Sequence, residues 1–258
     1  MEAKGVLVFG CSDTLANMGL DADKKAVMAQ GVPVSLISTG SVTRNGSAPT
    51  VIETPASELD GQIAALEAGF TYSVVKIGAL LSHAAFQAVS TVLLRGHLVS
   101  IIDTEPLLKT GSPESAAIHV AALREEILPS IDVLSATVPE AKILLDEASI
   151  PMPYPQSLDD VKSMANALRR LGPKNVIIKR EVFDESDGMT TLHYVLCGGA
   201  DPIMATLRFP NPTRFFGASY SIPPTIAAHL ANGSDVAEAV SASFKFAEEM
   251  LREGRYFV

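Results

Sequence analysis

The sequence predicts a doubly wound α/β fold in a single domain over residues 1–258, and three observations carry that expectation. Short apolar runs suited to strands buried on both faces alternate with segments whose apolar residues recur at helical spacing. The alternation persists from residue 5 to residue 179 with no internal repeat or low-complexity stretch. After Arg180 two strand patterns follow each other through Gly198-Gly199, a late antiparallel hairpin on a mostly parallel sheet.

Taken in order, Gly5-Val-Leu-Val-Phe9 is a strand apolar at every position, the pattern of a parallel sheet covered on both faces. A loop over 11–19 leads into a helix over 20–30 that stops before Gly31. Residues 34–38 are the next strand, and the polar stretch 40–54, with Asn45-Gly46 inside it, is a loop or a small hairpin. Pro55 opens a helix in which Ile63, Leu66 and Phe70 recur at helical spacing. Strands over 73–77, 98–102 (ending at Asp103) and 132–135 then alternate with helices over 83–94, 114–128 and 139–148. Ser157, with Asp160 three residues on, caps a helix over 157–171, and 175–179 is a strand. The hairpin strands cover 190–197 and 203–209, and helices near 225–231 and over 235–252 close the pattern. Ligands of such sheets meet the carboxyl ends of the strands, here 11–19, 40–46, 103–111 and 208–221.

Apolar residues make up 47% of the 258 and the mean hydropathy is +0.26, which calls for a large buried core. Runs such as 74–81 are broken by Lys76 far short of a bilayer span, so no membrane segment is expected. The first residues pass straight into a strand without a secretory apolar core, and the two cysteines, Cys11 and Cys197, build no disulfide framework; both fit the cytoplasm. A formal charge of −9 argues against nucleic acid and anionic membranes as partners. His83, His97, His119, His193 and His229 share no metal-ligand spacing. Phosphate-loop, dinucleotide and zinc-protease motifs are absent, and Gly217-Ala-Ser-Tyr-Ser221 lacks the last glycine of a nucleophile elbow.

Gly10-Cys-Ser-Asp-Thr-Leu-Ala-Asn-Met-Gly-Leu-Asp-Ala-Asp-Lys24 stands out together with four stretches that keep their spacing along the chain: Lys76-Ile-Gly78, Ile102-Asp103 with Lys109-Thr-Gly111, Leu128-Pro129, and Pro139-Glu-Ala141. In these the chain resembles the ribokinase superfamily and is most similar to the hydroxymethylpyrimidine (phosphate) kinases of thiamine synthesis, almost end to end. The first stretch answers to that family's G-x-D-P-S-G-G-A-G-I-x-A-D-L-K, with Asp13, Gly19, Ala22 and Asp23 matching. The others answer to its K-I-G, D-P-V-M-x-x-K-S-G, L-L-P and T-P-N-x-x-E-A. The resemblance implies a substrate site of Asp13, Gly19, Arg44 (in place of a glutamine that bonds the pyrimidine), Lys76, Gly78, Asp103, Phe215 and Phe216. It implies a nucleotide site, if kept, of Thr137, Glu140, Lys179, Arg214 and Gly217, with Glu140 a candidate for magnesium. The family's habit of pairing implies a homodimer.

The departures lie on the nucleotide side. Ser135-Ala-Thr137 stands where the family has T-P-N, and Lys179-Arg-Glu-Val182 where it has K-G-G-H. Its T-H-G-T-G-C is Thr213-Arg-Phe-Phe-Gly-Ala218, which puts Ala218 at the position of the expected catalytic base. Glycines let successive backbone amides turn toward a phosphate, whereas Phe215 and Phe216 resist positive φ. Pro223 and Pro224 would remove amides from the start of the following helix. A missing base costs about 10²–10⁴ in rate, and a missing anion-hole donor about 10²–10³.

The leading expectation is therefore a pocket for a small heterocyclic or other apolar molecule that has lost ATP-dependent phosphoryl transfer. Such a pocket would serve ligand binding or a cyclase, isomerase or lyase type of step, with no cofactor assigned. The alternative is an active kinase using Mg-ATP on the hydroxymethyl group of a pyrimidine or pyridine, in thiamine or vitamin B6 chemistry. A structural or regulatory partner subunit is the third reading. The site residues also have plain structural readings: Asp13 and Asp103 as loop carboxylates, Lys76 as a lysine snorkelling at a strand end, and Glu140 as a helix-dipole partner.

Overall fold

The computed structural model describes residues 4–13, 19–44, 49–104, 119–184, 186–199, 201–210 and 216–253. Strands β1 (Gly5–Asp13), β2 (Val34–Arg44), β3 (Pro49–Glu53), β4 (Tyr72–Ile77), β5 (Val99–Asp103), β6 (Val133–Thr137), β7 (Asn175–Asp184), β8 (Met189–Cys197) and β9 (Ile203–Pro210) form one sheet. Their order is β3-β2-β1-β4-β5-β6-β7-β8-β9. The run from β2 to β7 is parallel, and the antiparallel strands β3, β8 and β9 sit at the two edges. The doubly wound expectation and the late hairpin both hold.

Every second residue of a parallel strand faces the same core, and both faces here are apolar. Leu7, Phe9, Val75, Ile77, Ile102 and Leu134 pack under α2 (Ala56–Glu67), α3 (His83–Leu93), α4 (Val138–Glu147) and α5 (Leu158–Arg169). Val6, Val8, Val74, Ile101, Val133 and Ile177 pack under α1 (Leu20–Ala29), α6 (Phe216–Ala231) and α7 (Val236–Glu253). Each fully buried Leu, Ile or Phe contributes roughly 1.5–3 kcal/mol over exposure. Ser157 caps α5 as its sequence predicts, with Asp160 closing the box. Among the described residues no helix is long and apolar enough to cross a membrane.

The structure departs from the sequence expectations in four places. β1 runs on to Asp13 and β2 to Arg44, because β2 finds a partner in β3; the polar stretch is a hairpin. The helix expected over 114–128 is described from His119, and from Leu123 to Ile127 it widens into a π-helical turn before a 3-10 turn at Leu128–Ser130. β7 continues through Arg180, Glu181 and Val182 to Asp184, since β8 pairs with its whole length. Finally, α6 begins at Phe216, not near 225, and takes Pro223 and Pro224 into its interior. The expectation that these prolines block the helix start is thus overturned. The Thr225 hydroxyl just after the prolines donates back to Ser221 O at 2.7 Å and Ile222 O at 3.0 Å.

Gly40 sits where β3 pairs onto β2 at the sheet edge, opposite Glu53. Its φ is +144°, and a Cβ there would lie 2.2 Å from the carbonyl oxygen of Ile52. We expect Gly40→Ala to cost about 1–3 kcal/mol, read as a lowered urea midpoint with an unchanged m-value.

Candidate functional site

The carboxyl ends of β4 and β5, and the middle of β7 level with the end of β6, hold charged side chains in a place the alternation makes dry. Lys76 follows Val74, Asp103 follows Ile101 and Lys179 follows Ile177, each two residues on and therefore on the α1/α6 face. Asp23 joins them from the first turn of α1. Exposure is 5% for Asp23, 3% for Lys76, 2% for Asp103 and 3% for Lys179, so all four are out of water. An unpaired charge there would cost several kcal/mol, and each finds an opposite partner. Lys76 Nζ donates to Asp23 Oδ2 at 2.7 Å, and Lys179 Nζ lies 3.4 Å from Asp103 Oδ1. Burial raises the carboxyl of Asp23 above its ordinary range; Lys76 opposes the shift and Asp103 adds to it, so the two pairs sense each other.

Backbone geometry makes room for this row. Gly78 N donates to Phe9 O at 2.8 Å, and a Cβ at Gly78 would come within 3.1 Å of Lys76 Nζ. Gly19 adopts φ +76°, bridges to Ser12 and brings its Cα so near Cys11 that a Cβ would meet the carbonyl oxygen at 2.3 Å. Cys11 is buried beside the row, and burial together with Asp13 pushes its thiol up to about 11, which leaves it a poor nucleophile. On the other side, Glu140 Oε2 accepts from Thr137 N at 2.8 Å and Thr104 Oγ1 at 3.3 Å, and Thr104 N donates to Ser135 O at 3.0 Å.

Asp103, Glu140, Thr137 and Lys179 thus come together at the ends of β5, β6 and β7, while Lys76 and Gly78 adjoin Asp23, and Asp13 and Gly19 close the end of β1. Lys76 is an ion-paired buried lysine and not a snorkelling one. Glu140 does cap α4, with Thr137 as its box partner. Arg44 ends β2 opposite Pro49, and its side chain lies outside the described residues. Arg214 and Phe215 lie outside them altogether, whereas Phe216, Gly217 and Ala218 are the first turn of α6, described in backbone only. Asp23 matched a motif in sequence without being assigned a role; a carboxylate four positions into a helix gives no sign of burial until its lysine is located. Among the described residues no group of three or more His, Cys, Asp or Glu side chains gathers as a metal cluster.

Residues 13–257 match the family model described as phosphomethylpyrimidine kinase. A hydroxymethylpyrimidine/phosphomethylpyrimidine kinase of Haemophilus influenzae is 27% identical over 251 residues, covering 95% of this chain and 90% of its own. The chloroplastic thiamine biosynthetic bifunctional enzyme of Arabidopsis thaliana is 26% identical over 253 residues, and the chain spans only 46% of that longer protein. Among solved structures, the Staphylococcus aureus pyridoxal kinase in complex with AMP-PCP and pyridoxal superimposes with a TM-score of 0.81 at 22% identity, over 98% of this chain and 89% of that one. A phosphomethylpyrimidine kinase of Clostridium difficile gives 0.74 at 21% identity, over 95% and 99%. The ribokinase-like fold is therefore established, and the relatives favour the kinase alternative over loss of transfer.

Removing one member of the row tests its energetics. We expect Lys76→Met to lose about 3–5 kcal/mol at pH 7, because Asp23 is left buried and charged. The sign with pH follows from the raised carboxyl. Lys76 holds that pKa down, so the variant's Asp23 titrates higher still, and acidification neutralises it in the folded state. The gap to wild type should narrow as pH falls from 7 toward the carboxylate range, measured by urea unfolding at each pH.

Proposed function

The chain belongs to the phosphomethylpyrimidine kinase family, and on that premise we propose that it transfers the γ-phosphoryl group of ATP to the hydroxymethyl group of a pyrimidine or pyridine. The observation that carries the reading is the buried pair of Lys179 and Asp103, next to Glu140 and Thr104, at the carboxyl ends of the central strands. A charged cluster kept dry at that end of an α/β sheet is the arrangement of a site, since packing alone gains little from it.

Lys179 supports phosphate binding, because an anionic phosphate can take over from Asp103 as its partner. The first turn of α6 supports it too, since the first amides of a long helix have no partner within the helix. Magnesium would find hard oxygen donors in Asp103 and Glu140, and it would neutralise phosphate charge when bound. The heterocycle fits the other half of the row, between Asp13, the Asp23–Lys76 pair and the β2–β3 hairpin. Phosphoryl transfer depends chiefly on positioning and charge, so Ala218 does not forbid it.

Binding without transfer is the second reading, favoured by one feature: Phe216-Gly-Ala-Ser219 brings no ionisable group to the helix start. Transfer of label from [γ-³²P]ATP to hydroxymethylpyrimidine or pyridoxal, with calorimetry of Mg-ATP alongside, separates the two. We expect label in the heterocycle, and a drop in kcat/KM of about 10²–10³-fold on Lys179→Met. Micromolar nucleotide affinity with no labelled product from either substrate would establish the second reading instead.

A further inference from the structure

Transfer to a hydroxyl leaves a proton to be accepted, and the acids of the site differ sharply in their freedom to accept it. Glu140 spends Oε2 on the Thr137 amide and the Thr104 hydroxyl. Asp103 lies against Lys179 on the phosphate side. Asp13 is half-buried at the rim, at the last position of β1. Asp23 is different. Its Oδ2 is held by Lys76 at 2.7 Å, while no described residue donates to Oδ1. It also sits in the first turn of α1, which packs along α6.

We propose that Asp23 is the catalytic base of this chain, with Lys76 as the positioning residue that fixes the carboxylate and leaves Oδ1 toward the substrate hydroxyl. The inference rests on the kinase reading. In the step, the hydroxyl oxygen bonds to the γ-phosphorus as its proton passes to Oδ1. The bond from that phosphorus to the bridging oxygen breaks, and ADP leaves with the electron pair. Asp23 then returns the proton to water. Its surroundings suit that role, because burial makes the carboxylate more basic than an exposed one, in the direction that improves a base working near neutrality. The ionisable groups around it are Lys76 from β4, Asp103 from β5 and Cys11 from β1. Asp21, Lys24 and Lys25 of its own helix are exposed to solvent.

The test is the pH dependence of label transfer from Mg-ATP to hydroxymethylpyrimidine for wild type, Asp23→Asn and Asp23→Glu. We expect Asp23→Asn to lose about 10²–10⁴ in kcat, with KM for ATP changed less than about threefold and the acid limb of the profile gone. Asp23→Glu should restore part of kcat and the limb with it. Should Asp23→Asn fail to fold around an unpaired Lys76, the neutral pair Asp23→Asn with Lys76→Met removes that charge and must show the same loss. An Asn variant within about threefold of wild-type kcat, or one that keeps the acid limb, overturns the assignment while leaving the kinase reading intact. A wild type that transfers no label to either heterocycle defeats both, and that outcome is distinct because it precedes any substitution.

Discussion

Two aspartates and two lysines held out of water, from α1, the ends of β4 and β5 and the middle of β7, set the terms for the rest of the molecule. None of the four can be buried alone, so each element that brings one must deliver it in register with its partner. Lys76 is level with Ile101 across the β4–β5 ladder, which puts Asp103 one pleat further toward the rim. Asp103 in turn is level with Ser135, and Ser135 with Ile177, so Lys179 lies one pleat beyond and reaches back across β6. A one-residue slip in any of these ladders would turn a charge into the opposite apolar core. The parallel sheet is thus specified twice, once by its apolar faces and once by the charges at its edge.

What covers the row is as constrained as the row itself. α6 is apolar and buried from Ser221 to Ala228, and it runs over the ends of β1, β4 and β5. Two interior prolines weaken such a helix, yet Ile222, Ile226, Ala227 and Ala228 anchor it in the core. Packing overrides local preference here, as it commonly does for helices in proteins. The helix is then held by that packing in spite of its prolines.

Much of this was legible beforehand, for identifiable reasons. The strand and helix alternation is written in the periodicity of residues such as Val74, Ile77, Ile63 and Leu66, and the Ser157 cap in a local pair. Lys76-Ile-Gly78 and Asp103 pointed to the right strand ends. Pairing was not legible. That Lys76 meets Asp23, and Lys179 meets Asp103, depends on contacts 53 and 76 residues apart in sequence. The start of α6 was misplaced because proline was weighed as a local breaker, and the continuation of β7 was missed because Arg180-Glu181-Val182 is half polar and its partner strand lies further along.

That continuation decides what the backbone of β7 can offer to a ligand. From Arg180 on, β7 is a regular ladder in which Arg180 opposes His193, Glu181 opposes Leu192 and Val182 opposes Thr191. Amides in an antiparallel ladder are bonded across the pair or spaced between such bonds, so they cannot turn together toward an anion as a glycine loop does. Lys179, immediately before the ladder leaves the buried core, is the last residue of β7 on that face with both a buried stem and a charge. An anion meeting this wall would therefore meet a side chain and not the backbone. A lysine that must stay paired when the site is empty needs a carboxylate within reach, and Asp103 supplies it. The buried pair and the regular ladder are then two sides of one arrangement.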